Sequence, residues 1–188
     1  FHWLPNIDFF QQSGIPYAVT VHDLSFLHNP LFYYYKHRLS HRLIFSQKLL
    51  ERAHFICSVS NATKDDVIQF FPSIPHERIV VISPGLPSDD TSHLDVVPQV
   101  PERYILFVGT IEPRKNIHTL LDAFDIVSGI EPSLHLVLAG GAGWSHDHIL
   151  RRFENNDKIH WLGFVTPPQK EYLYKHAQAL IWPSFYEG

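Results

Sequence analysis

Two adjacent cations, Arg114 and Lys115, stand between a strand and a helix in this sequence. The apolar run at 104–108 predicts a strand buried on both faces; Gly109 follows it, and Asn116 is the expected N-cap of an amphipathic helix. A helix N-terminus offers unpaired N–H groups and partial positive charge to an anion. Adjacent cations strengthen that attraction. Gly109, Arg114 and Lys115 are therefore the predicted diphosphate-binding residues, and a solvated surface pair is the alternative.

A second segment, residues 179–188, also combines a strand and a turn, and it ends with the carboxylate of Glu187 and Gly188. An acidic side chain directly after an apolar run would be poorly placed in a core. A functional role is therefore expected for Glu187.

Several blocks of the sequence together resemble one family, the retaining, nucleotide-sugar-dependent glycosyltransferases of family 4, also called glycosyltransferase group 1, which include mannosyltransferases. The resemblance covers essentially the whole chain. The blocks that carry it are residues 20–26, 58–64, 109–116, 161–165 and 183–188.

The resemblance implies an α/β chain with two Rossmann-like domains, the GT-B fold, both incomplete. We expect an N-terminal, acceptor-side domain at 1–86, a linker at 87–101 and a C-terminal nucleotide-sugar-binding domain at 102–188. The linker is polar, rich in proline and without periodicity. In the family a glycine-rich turn precedes the first residue, and a second glutamate follows Glu187 by eight positions; neither is in this chain.

The alternation of strands and helices favours parallel βαβ units, whose ligands lie beyond the carboxyl ends of the strands. His22, Arg114, Gly140 and Glu187 all follow predicted strands, so a shared cleft is expected. Asp23 is expected to shape its turn as an Asx motif. Residues 140–143 are either a close backbone approach to a nucleotide or a tight turn.

Site roles come from the resemblance. His22 is expected to face the donor sugar, although a capped or surface histidine is the alternative. Glu187 is expected to bind sugar hydroxyls and offset the oxocarbenium-like charge that develops as the phosphate leaves. Phe164 and Val165 are expected to present backbone groups to the base, with core packing as the alternative. Ser184 and Gly188 complete the predicted donor-binding residues.

No metal and no cofactor beyond the donor, a GDP- or UDP-linked sugar, are expected. The chain has no Asp-x-Asp motif, and the two cations with a helix N-terminus can neutralise a leaving diphosphate. Many family members carry arginine where this chain has Thr110, and Arg114 is expected to replace it. If Arg114 points away, donor binding should weaken by about 1.5–3 kcal/mol.

The composition is typical of a soluble globular protein: 45% hydrophobic residues, a net charge of −4 and one cysteine. No apolar run approaches the roughly 20 residues that cross a bilayer. A cytoplasmic location without a nucleic-acid partner is expected. Cys57 is expected in a strand rather than as a nucleophile.

A long helix is predicted from Leu31 to about Arg52, with Leu50 on its core face. The other face is basic and favours either peripheral contact with an anionic membrane or a solvated or interdomain surface. Its residues are Arg38, His41, Arg42, Lys48 and Arg52, interleaved with Phe45 and Leu49.

The expected reaction is transfer of a hexose from the nucleotide sugar to a saccharide or lipid-linked saccharide with retention of configuration. Mannose is the leading candidate for the hexose. Two alternatives stay open: a nucleotide-binding module without transfer activity, and a GT-B sugar epimerase or phosphorylase.

Overall fold

The computed structural model describes residues 16–33, 47–85, 98–143, 147–154 and 156–188. The chain divides into two compact units, Phe1–Pro87 with Glu187–Gly188 and Ser88–Tyr186. Each unit carries its own parallel sheet with helices between the strands, which confirms the predicted α/β class.

The first unit has three parallel strands in the order β1-β2-β3. The strands are β1 (Ala18–Val21), β2 (Phe55–Ser58) and β3 (Ile79–Val81). The described helices are α1 (Ser25–His28), α2 (Gln47–Arg52) and α3 (Asn61–Phe70), with short 3-10 turns at Pro30–Phe32 and His76–Arg78.

Local sequence chemistry fixes where α3 begins. The Ser60 side chain caps the helix by accepting a hydrogen bond from the Thr63 backbone N–H at 3.0 Å. Val67 of α3 packs against Ile56 of β2 and Leu50 of α2, and all three side chains are fully buried. The burial of Leu50 confirms the core face predicted for it.

The predicted helix from Leu31 is wrong at its start. Pro30–Phe32 forms a single 3-10 turn, and Tyr33 is extended, with φ −121° and ψ 139°. The Tyr33 hydroxyl hydrogen-bonds the buried Ser25 hydroxyl. The basic-face residues Arg38, His41, Arg42 and Phe45 lie outside the described residues.

The second unit has four parallel strands in the order β6-β5-β4-β7. They are β4 (Tyr104–Val108), β5 (His135–Ala139), β6 (Ile159–Trp161) and β7 (Ala179–Leu180). The helices are α4 (Ile117–Ile130), α5 (Asp147–Glu154) and α6 (Pro167–His176).

The sheet of the second unit is buried on both faces, as predicted for 104–108. Phe107 and Leu138 pack with Phe124 of α4 in one cluster, whereas Leu106 packs with Leu173 of α6 in another. Crossover helices on both faces produce this arrangement in parallel sheets. Thr166 and Gln169 form a capping box at the start of α6.

None of the helices described here has the length and apolar character of a membrane span.

Candidate functional site

The strand order of the second unit reverses between β4 and β7. From β4 the chain proceeds outward to β5 and β6, and then returns to the other side of β4 as β7. Ligands of open parallel sheets bind beyond the carboxyl ends of the strands at such a switch point. The two segments that follow these strands are the first loop, residues 109–116, and the second loop, residues 181–186.

The first loop begins with a close approach between two backbones. The Gly109 N–H donates to the Ala139 carbonyl at 2.8 Å, and the Ile111 N–H donates to the Gly141 carbonyl at 2.9 Å. Gly109 has φ 156° and Gly140 has φ 148°, both in the region that favours glycine. Residues 140–143 therefore extend the β4–β5 pairing beyond the glycines, and their role toward a nucleotide stays a prediction.

The first loop ends in a 3-10 turn, Pro113–Lys115, that leads into α4. Asn116 stands at the N-cap position, as predicted, but it is left-handed, with φ 55° and ψ 39°, and its side chain caps no backbone N–H. Its Oδ1 accepts from the Thr119 hydroxyl at 2.8 Å instead. The position was correct and the expected capping bond was wrong.

The Asn116 side chain also links the two loops. Its Nδ2 donates to the Pro183 carbonyl at 3.1 Å. Asparagine tolerates the left-handed region better than most residues, so it can both turn the chain and make this bond.

Lys115 is buried, with 8% of its surface exposed. Its Nζ lies 5.3 Å from the centroid of the Trp182 ring in the second loop, which is cation–π distance. Lys115 immediately precedes the N-terminal region of α4, so its charge and the helix dipole have the same sign at this point.

The Arg114 guanidinium is directed at protein oxygens. Its Nε and Nη2 lie 3.1 and 3.0 Å from Oε1 of Glu112. Its Nη1 donates to the Tyr186 carbonyl at 3.0 Å. The Phe185 N–H donates back to the Arg114 carbonyl at 3.0 Å, so Arg114 holds the second loop by side chain and backbone.

Three further residues predicted at the donor site, Ser184, Glu187 and Gly188, lie in or directly after the second loop. The Ser184 Oγ is a buried atom with no hydrogen-bond partner in the described part of the chain. Glu187 and Gly188 are exposed and group with the first unit. The donor-binding and catalytic roles of these three residues stay predictions.

Phe164 and Val165 follow β6 and differ in their surroundings. Val165 packs against the cluster of Leu106 and Leu173, whereas Phe164 is 84% exposed. Core packing is therefore the correct description of the Val165 side chain and not of Phe164. Contact of either backbone with a base stays a prediction.

His22 follows β1 in the first unit and is exposed. Its carbonyl accepts from the Thr63 hydroxyl at 3.3 Å. Asp23 Oδ1 accepts from the Ser25 N–H at 3.0 Å, which confirms the Asx turn predicted there. The described side chains include no cluster of three or more histidines, cysteines or carboxylates that could hold a metal ion.

Sequence reasoning missed Glu112 and Trp182. Glu112 is 7% exposed and ion-paired, although a glutamate two residues before an arginine in a loop ordinarily indicates a solvated pair. Trp182 directly precedes the block 183–188, and its cation–π contact with Lys115 joins segments that are far apart in sequence. Neither contact has a local sequence signal.

Two family models match the chain. The model described as "Glycosyl transferases group 1" matches residues 90–188, and the one described as "Glycosyltransferase Family 4" matches residues 1–90.

Among curated proteins, the chain is 32% identical over 184 residues to O-antigen chain mannosyltransferase B of Escherichia coli, covering 91% of this chain and 48% of that protein. It is 28% identical over 177 residues to O-antigen chain mannosyltransferase RfbU of Salmonella typhimurium, covering 91% and 46%. The chain thus spans about half the length of the curated relatives it matches.

Among solved structures, Anabaena Alr3699/HepE in complex with UDP and glucose superposes with a TM-score of 0.62 at 18% identity. The match covers 90% of this chain and 46% of that one. At this identity the likeness shows the fold alone, and the fold is GT-B.

Proposed function

Since the chain belongs to the group 1 glycosyl transferases, we propose that the whole protein transfers a hexose from a nucleoside-diphosphate sugar to a saccharide or lipid-linked saccharide acceptor. Mannose is the leading candidate for the hexose. Lys115 carries the proposal. It is a buried cation at the start of a 14-residue helix, beside the switch point of a parallel sheet.

A diphosphate is the chemistry that this arrangement suits best. The Lys115 ammonium supplies a full positive charge with three donors, and the first turn of α4 supplies backbone N–H groups and partial positive charge. Both stabilise negative charge on the diphosphate, and that charge grows as the bond to the sugar breaks. Stabilisation that is greater in the transition state than in the ground state lowers the barrier.

His22 and Glu187 are the residues proposed to act on the donor sugar. A histidine N–H can donate to a sugar or phosphate oxygen, and a carboxylate can accept from sugar hydroxyls and offset positive charge at the anomeric carbon. Retention of configuration belongs to the same proposal. It is read from the anomeric configuration of the first product by proton NMR.

Mannose is proposed because two of the relatives reported above are O-antigen chain mannosyltransferases. GDP is therefore the first nucleotide to test, with UDP the rival because Alr3699/HepE was solved with UDP. The predicted base contacts at Phe164 and Val165 and the predicted donor contacts at Gly109, Ser184 and Gly188 are part of this proposal.

We also propose that transfer needs no divalent metal, because Lys115 and the α4 N-terminus supply the positive charge that Mg²⁺ supplies to a diphosphate elsewhere. Activity retained in EDTA supports this part. Activity abolished by EDTA and restored by Mg²⁺ refutes metal independence, but it does not refute the proposed donor site. Location in the cytoplasm, peripheral membrane contact and a lipid-linked acceptor stay proposals, to be tested by fractionation and by acceptor choice.

The test is product analysis with the full-length protein, GDP-mannose and UDP-glucose, with and without a lipid-linked saccharide. Transfer that requires the acceptor supports the proposal. An altered free sugar without acceptor indicates an epimerase, sugar phosphate formed only with inorganic phosphate indicates a phosphorylase, and nucleotide binding without any product indicates a binding module. Lys115→Ala should lower kcat/KM at least tenfold, and Lys170→Ala, at an exposed position of α6, is the matched control.

A further inference from the structure

We infer that Arg114 and Glu112 form a clasp that holds the second loop in place, and that Arg114 acts on the reaction as a positioning residue rather than as a phosphate ligand. The inference rests on the proposed function, because it concerns the same donor site. It assigns a role to Glu112, which has none in the proposal above.

The clasp uses all three guanidinium nitrogens. Two lie within 3.1 Å of one Glu112 oxygen, and the third donates to the Tyr186 carbonyl. The side chains of Arg114 and Glu112 are only 14% and 8% exposed. Screening by water is therefore weak, and the fork of the guanidinium is fixed by two acceptors that lie in different loops.

The carbonyl that Arg114 holds belongs to Tyr186, the residue directly before Glu187. Fixing the peptide before a carboxylate restricts where that carboxylate can be. A displacement of about 1 Å can cost a reaction on the order of 100-fold. The clasp is therefore placed to set the position of the predicted catalytic group without touching the sugar.

A phosphate ligand and a clasp respond oppositely to loss of Glu112. If Arg114 is a phosphate ligand, Glu112→Gln removes a competing anion, so nucleotide affinity holds or rises and turnover is kept. If Arg114 is a clasp, Glu112→Gln removes the charge that orients the guanidinium. The second loop then loosens, and turnover falls while nucleotide affinity changes little.

The first experiment is hydrogen exchange by mass spectrometry on the full-length protein without ligand. The readout is the peptide that includes the Phe185 amide, which donates to the Arg114 carbonyl. Glu112→Gln and Arg114→Lys should each speed its exchange at least tenfold. Arg114→Lys keeps a cation beside Glu112, so the variant is expected to fold. A single ammonium lacks the guanidinium fork that reaches both Glu112 and the Tyr186 carbonyl.

The matched control is Arg103→Ala, which breaks the exposed pair of Arg103 and Glu131 in the same unit. This change should leave the exchange of the Phe185 peptide and the turnover unchanged. Unchanged exchange in both clasp variants would overturn the clasp, whatever the activity of the protein.

The second experiment separates kcat from donor binding in the transfer assay. The clasp predicts that Glu112→Gln and Arg114→Lys each lower kcat at least tenfold while the Kd for GDP changes less than threefold. A tenfold weaker Kd for Arg114→Lys with kcat retained would overturn the inference, because Arg114 would then be the ligand. If the unaltered protein bound no nucleoside diphosphate, the proposed function would fail and the positioning role with it, and the exchange data would still report on the clasp.

Discussion

A Cβ atom built on Gly140 would lie 1.9 Å from the carbonyl oxygen of Gly109. The backbones that leave β4 and β5 therefore touch at the carboxyl edge of the sheet. This approach starts the first loop, which carries Lys115, so the shape of the candidate site depends on two residues without side chains.

Gly140→Ala should consequently lower the free energy of unfolding by about 3 kcal/mol or more, because the new methyl group meets backbone and the residue has φ 148°. Urea denaturation measures the change. Gly141→Ala is the control, since a Cβ there has no atom within 4 Å and the expected change is below about 1 kcal/mol. Equal losses in the two variants would contradict the close approach.

Asn116 offers a second test, because its backbone and side-chain roles can be separated. Asn116→Gly keeps the left-handed conformation and removes the bond to the Pro183 carbonyl, whereas Asn116→Ala removes both. Asn116→Ala should be about 1 kcal/mol less stable than Asn116→Gly by thermal denaturation. Both should loosen the second loop in hydrogen exchange, and a loop unaffected by either would show that the Pro183 bond contributes nothing.

The Ser184 hydroxyl is the third target. Since its Oγ has no hydrogen-bond partner among the described residues, Ser184→Ala breaks no internal bond, and the free energy of unfolding should change by less than about 0.5 kcal/mol. A donor contact would instead appear as a raised KM for the nucleotide sugar. Loss of stability without any change in KM would refute the predicted binding role.

Strand 104–108 shows what the sequence could predict. A continuous apolar run has few alternatives to a strand covered on both faces, and the observed bounds are Tyr104–Val108. The same holds for the capping box of Thr166 and Gln169, because both partners lie within one helical turn. Local chemistry decided these elements.

The clasp could not be predicted, because Arg114 and the Tyr186 carbonyl are 72 residues apart. Only the strand order, with β7 beside β4, brings them together. The extended backbone of Tyr33 and its hydroxyl contact with Ser25 were also missed, since helical periodicity records neither.

The fourth prediction concerns pH. The ring nitrogens Nδ1 of His135 and Nε2 of His160 lie 3.0 Å apart on neighbouring strands. Burial, and then the proximity of His135, hold the pKa of His160 below its usual value, and Asp157 opposes this. Well above a pH of about 6.5 the residue is neutral whether the chain is folded or unfolded, so it does not affect stability.

Below that pH the unfolded chain binds the proton first, so the folding stability should fall as the pH falls toward the pKa of folded His160. His135→Gln removes one cause, and the pKa of His160 should rise in an NMR titration without reaching its usual value, since burial remains. His54→Gln, at an exposed position, should leave the titration unchanged. A His160 pKa that is unchanged in His135→Gln would contradict the pairing of the two histidines.

The most direct test of the central claim is calorimetric titration of the full-length protein with GDP, UDP and ADP, with and without Mg²⁺, repeated on Lys115→Ala. A nucleoside-diphosphate site at the β4–β7 switch point predicts selective binding of one nucleotide, weakened at least tenfold by Lys115→Ala and unchanged by Lys170→Ala. A loss of about 1.5–3 kcal/mol is expected for one charged hydrogen bond. Binding that is absent, or that Lys115→Ala leaves intact, would contradict the account.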